Sequence, residues 1–480
     1  MSKDASAHEV FRDPVVERYA SEEMSANFSA QKKFSTWRKL WVALARAEQK
    51  LGLEITDEQI VQMEKFVEDV NFAEAEARER EVRHDVMAHV HAFGLQAPKA
   101  KPIIHLGATS CYVGDNADLI ILRDALHIIL RRLVNVIDRL STFALDHKDL
   151  PTLGFTHYQP AQLTTVGKRA TLWIQDLMMD LAELEQRLSA LKFRGVKGTT
   201  GTQASFLALF EGDAEKVAKL EHLVAKEMGF EACFPVTGQT YPRKFDAQVL
   251  STLGGIAQSA HKFANDLRLL SNLRELEEPF DEKQIGSSAM AYKRNPRRAE
   301  LITSLARHVM VLANDPAFTA AEQWLERTLD DSANRRIAIP GAFLTTDGML
   351  RVMLNVVGGL VVNEGVIRQR VEQELPFIAT ENILMSAVKS GGDRQELHEK
   401  IRQHSQAAAR RMKETGGGND LLARLQKDKA FANVDLAAAL EPSRYVGLAP
   451  QQTEDYIQTI VRPALEPYED HLGEEAEFDL

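Results

Sequence analysis

Cysteine is nearly absent from this chain: Cys111 and Cys233 are the two in 480 residues. Two thiols cannot build a disulfide framework or a four-thiolate zinc site, and such sparse use suits a reducing compartment, so the cytoplasm is the expected location. Positive charge is in short supply as well: 58 Lys and Arg face 69 Asp and Glu, a net charge of -11. An acidic chain has no general attraction for nucleic acid or an anionic membrane, so an anionic ligand would have to be held by local clusters of cations. No run of about 18 apolar residues is found, and the first residues lack the apolar stretch of a signal peptide. The expectation is a chain that neither spans a membrane nor enters the secretory route. Strand signals are weak too: alternating β-branched runs bounded by Asn-Gly or Asp-Gly are scarce.

What the sequence does have is helical period. Val249, Leu253, Ile256, Ala260, Phe263, Leu267 and Leu270 recur at spacings of four and three, an apolar stripe on one long helix. Comparable stripes run from Leu119 to Ala144 and from Ala170 to Leu191. Helices of about 25 residues are nearly 40 Å long, a length that suits a bundle. The predicted class is all-α. Such stripes serve the core of one chain or are shared between subunits; their length and regularity favour a helical oligomer. At about 150 residues per domain the chain holds roughly three units. Composition shifts near 100–116 and 358–365 divide it into an N-terminal helical domain (1–109), a central long-helix bundle (110–362) and a C-terminal helical domain (363–480), with shorter helices and loops at the two ends.

Several segments carry residues suited to chemistry. In the stretch 284–300, a small, hydroxyl-bearing loop from Gly286 to Tyr292 leads to Asn295-Pro296, which reads as an N-cap and a first-turn proline. Lys293, Arg294, Arg297 and Arg298 crowd that junction, the positive end of a helix dipole, so the expectation is an anion site; the plainer alternative is a solvated basic turn. Thr156-His157-Tyr-Gln159-Pro160 places a histidine beside a hydroxyl and an amide, ahead of what reads as a Pro-started helix; lone loop histidines are more often structural. His84 and His91 are seven apart and would share a helix face, which raises metal ligation. The absence of a His-Glu-x-x-His pattern and the adjacent Arg83 cation argue against it. Thr109-Ser110 before Gly114, and the run from Arg327 to Arg336, have the chemistry of carboxylate or phosphate grips; an internal Asp-Arg salt-bridge loop is the alternative for the second. Gly195-Val-Lys-Gly198 is not a Walker loop, because no Gly-Lys-Ser/Thr follows.

The run Gly286-Ser-Ser-Ala-Met-Ala-Tyr-Lys-Arg-Asn-Pro296 resembles the signature of the fumarase/aspartase superfamily, departing from it at Ala291, where Pro is usual. Arg18-Tyr19, Arg83-His84-Asp85, Gly107 to Ser110, Thr156 to Gln162 and Thr328 to Arg336 further resemble the adenylosuccinate lyase family of the animal type, so the likeness covers the chain to about Pro450. The resemblance implies a carbon–nitrogen lyase working by acid–base β-elimination, releasing fumarate from adenylosuccinate to give AMP and from SAICAR to give AICAR, in purine nucleotide synthesis. Argininosuccinate lyase, another branch of the superfamily, is the alternative. It implies Ser287 as base, His157 as acid, His84 as its assistant, and Lys293 with Asn295 as stabilisers of developing negative charge. Arg18 and Tyr19 would meet the nucleotide phosphate, Arg83 and Asp85 the ribose and phosphate, and Thr109 and Ser110 a succinyl carboxylate. Thr156, Gln239, Arg327, Ser332 and Arg336 are further substrate contacts by the same resemblance. It also implies a homotetramer whose active sites are shared between subunits, and no cofactor or metal. Ala291 predicts a looser, slower-closing loop than Pro would give. Leu301 stands where animal relatives carry a substrate-contacting Arg.

Overall fold

The computed structural model describes residues 9–280, 284, 289–290, 292–436 and 440–475. Ser287, Gly286, Ser288 and Ala291 lie outside them. With 68% helix and 4% strand, the all-α expectation holds. The N-terminal part runs α1 (Glu22–Asn27), α2 (Ala30–Lys50), α3 (Asp57–Lys65), α4 (Phe72–Val82) and α5 (Asp85–Gln96). The middle begins with α6 (Ser110–Asp146), a hairpin of β1 (Pro151–Thr156) and β2 (Gln159–Thr165), and α7 (Val166–Ala190). It continues through α8 (Ala204–Leu209), α9 (Ala214–Glu227), α10 (Lys244–Asn272), β3 (Leu276–Glu277), α11 (Arg297–Leu312), α12 (Asp315–Ala321), α13 (Asp330–Val357) and β4 (Val361–Val362). Then come α14 (Glu364–Ile378), α15 (Thr380–Lys389), α16 (Arg394–Thr415), α17 (Leu421–Lys427), α18 (Ala449–Tyr456) and α19 (Arg462–Leu465).

The three stripes read from the sequence lie on α6, α7 and α10. From Val249 to Leu270 every stripe residue is buried within this one chain, so that stripe is internal core and not a surface left for a partner. A fourth long helix, α13, completes the bundle. By length and composition it could cross a membrane, though Thr345, Thr346, Asp347 and Arg351 break its apolar run and 78% of its most apolar window is buried in the fold. Its hydrophobicity serves the core. The ends are also more helical than expected, since α2 has 21 residues and α16 has 22. One core joins α2, the long helices, Ile367, Val371 and Leu375 of α14, and Ile457, Val461 and Leu465. Residues 379–436 have a separate small core of their own around Ile383, Leu397, Leu421 and Phe431.

The hairpin corrects the reading of residues 156–162 as a loop before a Pro-started helix. Pro160 lies in β2, opposite Phe155, and α7 starts at Val166 with the Thr165 hydroxyl accepting from Lys168 N at 3.1 Å. A proline is tolerated there because a two-stranded ribbon is all edge, so its missing N–H need not break a ladder bond. The turn residues, His157 and Tyr158, both have positive φ, 52° and 57°. That is the sign a type I′ hairpin turn demands, and Asn-Gly meets it far more easily than His-Tyr does.

Candidate active site

The start of α5, the first turns of α6, the loop entering α10 and the start of α13 enclose a cavity of about 660 Å³. Arg83, His84 and Asp85 line it from the α4–α5 corner and Ser110 from α6. Gln239 enters from the loop before α10; Arg327, Ser332 and Arg336 enter from around the start of α13. These eight residues come from segments as much as 250 positions apart, and all of them were expected from the sequence.

Local geometry explains each placement. Arg83 ends α4 in the left-handed region, φ 52°, a strained conformation for a residue with a side chain, and turns the backbone sharply into α5. His84 is the N-cap of α5 and not a residue on its face, which corrects the pairing with His91: that side chain reaches Glu74 at 3.5 Å, while His89, between them, stacks on Phe34. Nδ1 of His84 accepts from Met87 N at 3.4 Å, so the neutral ring carries its proton on Nε2, which lies 3.3 Å from Ser110 Oγ. Thr109 is the N-cap of α6 and makes no side-chain cap bond. Gln239 is held close to the Arg327 segment: its N–H donates to Glu326 O at 2.9 Å. Only glycine at 238 permits this, because a Cβ there would lie 2.5 Å from the Glu326 carbonyl oxygen.

The run from Arg327 to Arg336 is not a loop; α13 takes it over at Asp330, and the salt-bridge reading proves as apt as the grip reading. Arg327 Nη1 donates to Asp331 Oδ1 at 2.9 Å. Asp331 Oδ2 accepts from Arg243 Nε at 2.6 Å, and the Arg243 fork meets both oxygens of Asp115 at 3.0 Å. Arg335 binds Asp246 at 2.7 Å, Asp118 at 3.0 Å and the Tyr241 hydroxyl at 2.6 Å. Burial and the neighbouring Arg335 cation oppose the charge on Arg243, yet Asp115, Tyr241 and Asp246 outweigh them and its pKa is raised. Burial likewise works against ionised Asp115, and the Arg243 and Arg335 charges overcome it to leave its pKa lowered. Sequence reasoning missed Arg243, Asp115, Asp118 and Lys33. Lys33 lines the cavity with its Nζ 5.1 Å from the Trp37 ring, and burial lowers its pKa. Asp115 follows Gly114 in the stretch read as a grip but was given no role, and the other three sit in no motif, so the fold reveals what they do.

Other expected residues lie outside this cavity. Thr156 and His157 are exposed at the hairpin tip, and Arg18 and Tyr19 lie on a short π-helical turn, Val15–Tyr19, where Tyr19 O accepts from Arg351 Nη1 at 3.0 Å. Lys293 is exposed and Asn295 half-buried ahead of α11. That helix corrects a second expectation. Pro296, not Asn295, is its N-cap, and its free amides are already used: Arg298 N and Ala299 N donate to Glu278 at 3.0 and 2.9 Å. The anion at this helix start is the protein's own buried carboxylate, whose pKa burial raises. In the glycine segment 195–201 the Arg194 guanidinium donates to the Gly195 and Gly198 carbonyls at 3.1 and 2.9 Å, which fixes the loop against α6 and the loop entering α10.

Residues 12–311 match the Lyase family, and residues 376–456 match the Adenylosuccinate lyase C-terminus family. The chain is 57% identical to adenylosuccinate lyase of Saccharomyces cerevisiae, over 97% of this chain and 98% of that one. It is 41% identical to adenylosuccinate lyase of Caenorhabditis briggsae, over 99% and 100%. This chain belongs to the adenylosuccinate lyase family. The fold agrees: a fumarate lyase from Mesorhizobium sp. BNC1 superposes with a TM-score of 0.76 at 25% identity, covering 92% of this chain and 99% of that one. Leu301, on α11, packs against the main core.

Proposed function

We propose that the cavity binds adenylosuccinate and SAICAR and that the protein eliminates fumarate from each, leaving AMP and AICAR. The observation that most supports this is the convergence, in an acidic protein, of Arg83, Arg327 and Arg336 with Ser110, Ser332 and Gln239 in one cavity. A phosphate and two carboxylates need that concentration of forked cations and hydroxyls, while Asp85 beside them suits ribose hydroxyls. Elimination removes a proton from the carbon next to a succinyl carboxylate, breaks the C–N bond, forms the fumarate double bond and returns a proton to the departing nitrogen. The costly intermediate state is a carboxylate carrying extra negative charge, which fixed cations and amides must meet.

Ser287 takes the carbon-bound proton and His157 protonates the nitrogen. Lys293 and the Asn295 amide face the developing charge. His84 donates from Nε2 to Ser110 Oγ, which leaves the serine proton to a succinyl carboxylate; His84 thus orients the grip. Since the cavity of one chain contains neither His157 nor Lys293, the site needs them from other subunits of a homotetramer. Exposed Phe318 on α12, Trp324, Leu325 and Leu329 in the segment that follows it, and Ile337 on α13, next to the grip, are the apolar surface such an assembly would cover. The two free thiols, Cys111 and Cys233, suit a cytoplasmic setting. Purified protein given adenylosuccinate should release fumarate and AMP, and Ser287→Ala should abolish this. Undiminished release by the variant removes Ser287 from its role.

A further inference from the structure

We propose that Asp331 is a positioning residue for this reaction, acting through Arg327, and that Arg243 and Asp115 hold Asp331 in place. The inference rests on the reading of Arg327 as a substrate grip. Arg327 precedes α13 and lies in no helix; two residues before it Leu325 has φ 49°. Nothing in the local backbone dictates where its side chain points. Among the described residues its one hydrogen-bond partner is Asp331 Oδ1, four positions on, and Arg327 also lines the cavity. Asp331 is fully buried, and its other oxygen is taken by Arg243. Arg243, itself buried, is forked onto Asp115, whose Oδ2 also accepts from Tyr241 N at 2.8 Å. A line of fixed charges therefore runs from α6 through the start of α10 to α13 and ends on a guanidinium at the cavity wall.

Stability is a poor reason for such a network. Buried ion pairs replaced by apolar groups of similar size are often neutral or more stable, because desolvation offsets their attraction. What the network supplies is direction. A guanidinium fixed at one edge presents its remaining donors in a constant plane, and bidentate recognition of an oxyanion loses strength quickly when that plane tilts. Asp331 stands at the cavity wall, but its two oxygens already accept from Arg327 and Arg243 and the side chain is fully buried, so its effect on the reaction passes through Arg327.

The test is a double-mutant cycle read as fumarate release, with KM and kcat separated. Asp331→Asn is expected to raise KM about tenfold with kcat within about threefold of the wild type, as Arg327→Met does. In the Arg327→Met background Asp331→Asn should add less than about twofold. Arg243→Lys, which keeps the charge and loses the fork, should raise KM by about threefold, again only while Arg327 is present. If Asp331→Asn does not fold, the Arg243→Lys cycle decides alone. Equal losses with and without Arg327 overturn the inference and make the network a structural clamp; an unchanged KM in the single variants does so too. Arg327→Met with wild-type KM overturns both this inference and the assignment of Arg327. A raised KM in Arg327→Met with additive network variants overturns the inference alone.

Discussion

Single residues show how unevenly the chemistry was written in the sequence. Arg83, His84, Ser110, Gln239, Arg327, Ser332 and Arg336 stand in short polar runs, and each lines the cavity. Arg243 is an isolated charge and Asp115 only the neighbour of a polar run, and their roles come from contacts across more than 80 positions. Two histidines near the cavity have a different use. His89, stacked on Phe34, and His105, whose Nδ1 accepts from Trp41 Nε1 at 2.9 Å, both have pKa values pushed down to about 4, first of all by burial. Their folded-state values lie below the ordinary 6.5, so the unfolded chain binds the extra protons. The stability they contribute is complete above about pH 6.5 and is lost as pH falls toward 4, by up to about 3 kcal/mol for each histidine. Urea midpoints measured between pH 7 and 4.5 should fall, and His89→Phe should reduce the slope. A slope unchanged by that substitution would mean His89 is already protonated in the fold.

At the scale of elements, periodicity made α7 and α10 legible because each keeps an exposed face, and α6 legible because its apolar residues hold their spacing along a helix of 37 residues although it is buried nearly all round. Periodicity hid α2, whose Trp37, Leu40, Trp41 and Leu44 lie in a stretch buried nearly all round, and α13, which is buried along most of its length and has Pro340 in its interior. The hairpin was illegible for a physical reason: its turn holds His157 and Tyr158 where Asn-Gly would be comfortable. Left-handed backbone at a residue with a side chain costs about 1–3 kcal/mol and tends to persist where function requires it. Replacing the pair, His157→Asn with Tyr158→Gly, should therefore leave the fold as stable or more so in urea denaturation while turnover is lost. Retained turnover would deny His157 its acid role. The start of α11 supports a second expectation. Glu278→Ala removes the acceptor of two helix amides and should cost about 1–2 kcal/mol in the same measurement, the scale of a lost cap. Turnover should fall with it, because Lys293 and Asn295 directly precede the helix that Glu278 fixes. A variant of full stability would show that water replaces the carboxylate.

For the whole molecule, the question is how His157 and Lys293, placed outside the cavity, would meet a substrate held by Arg327. Long stripes pointed to an oligomer, but they are spent inside the chain; the apolar surface that remains exposed is elsewhere, at Leu172 and Met179 on α7, Val311 on α11 and the stretch from Phe318 to Ile337. Sequence alone could not separate the two, since period reports that a face is buried and not against what. If that surface joins subunits, His157 on an exposed hairpin of one chain serves a cavity whose Arg327 belongs to another. Two inactive variants should then rescue each other. His157→Gln and the double variant Arg327→Met with Arg336→Met, each near zero alone, should recover about a quarter of wild-type turnover when equal amounts are dissociated and reassembled together, because random mixing gives about that fraction of sites two intact contributors. Size-exclusion chromatography with light scattering must show mixed tetramers for the comparison to count. Mixed tetramers without activity would place His157 and Arg327 in a site built by one chain, and the hairpin would then have to reach its own cavity through a rearrangement of the fold.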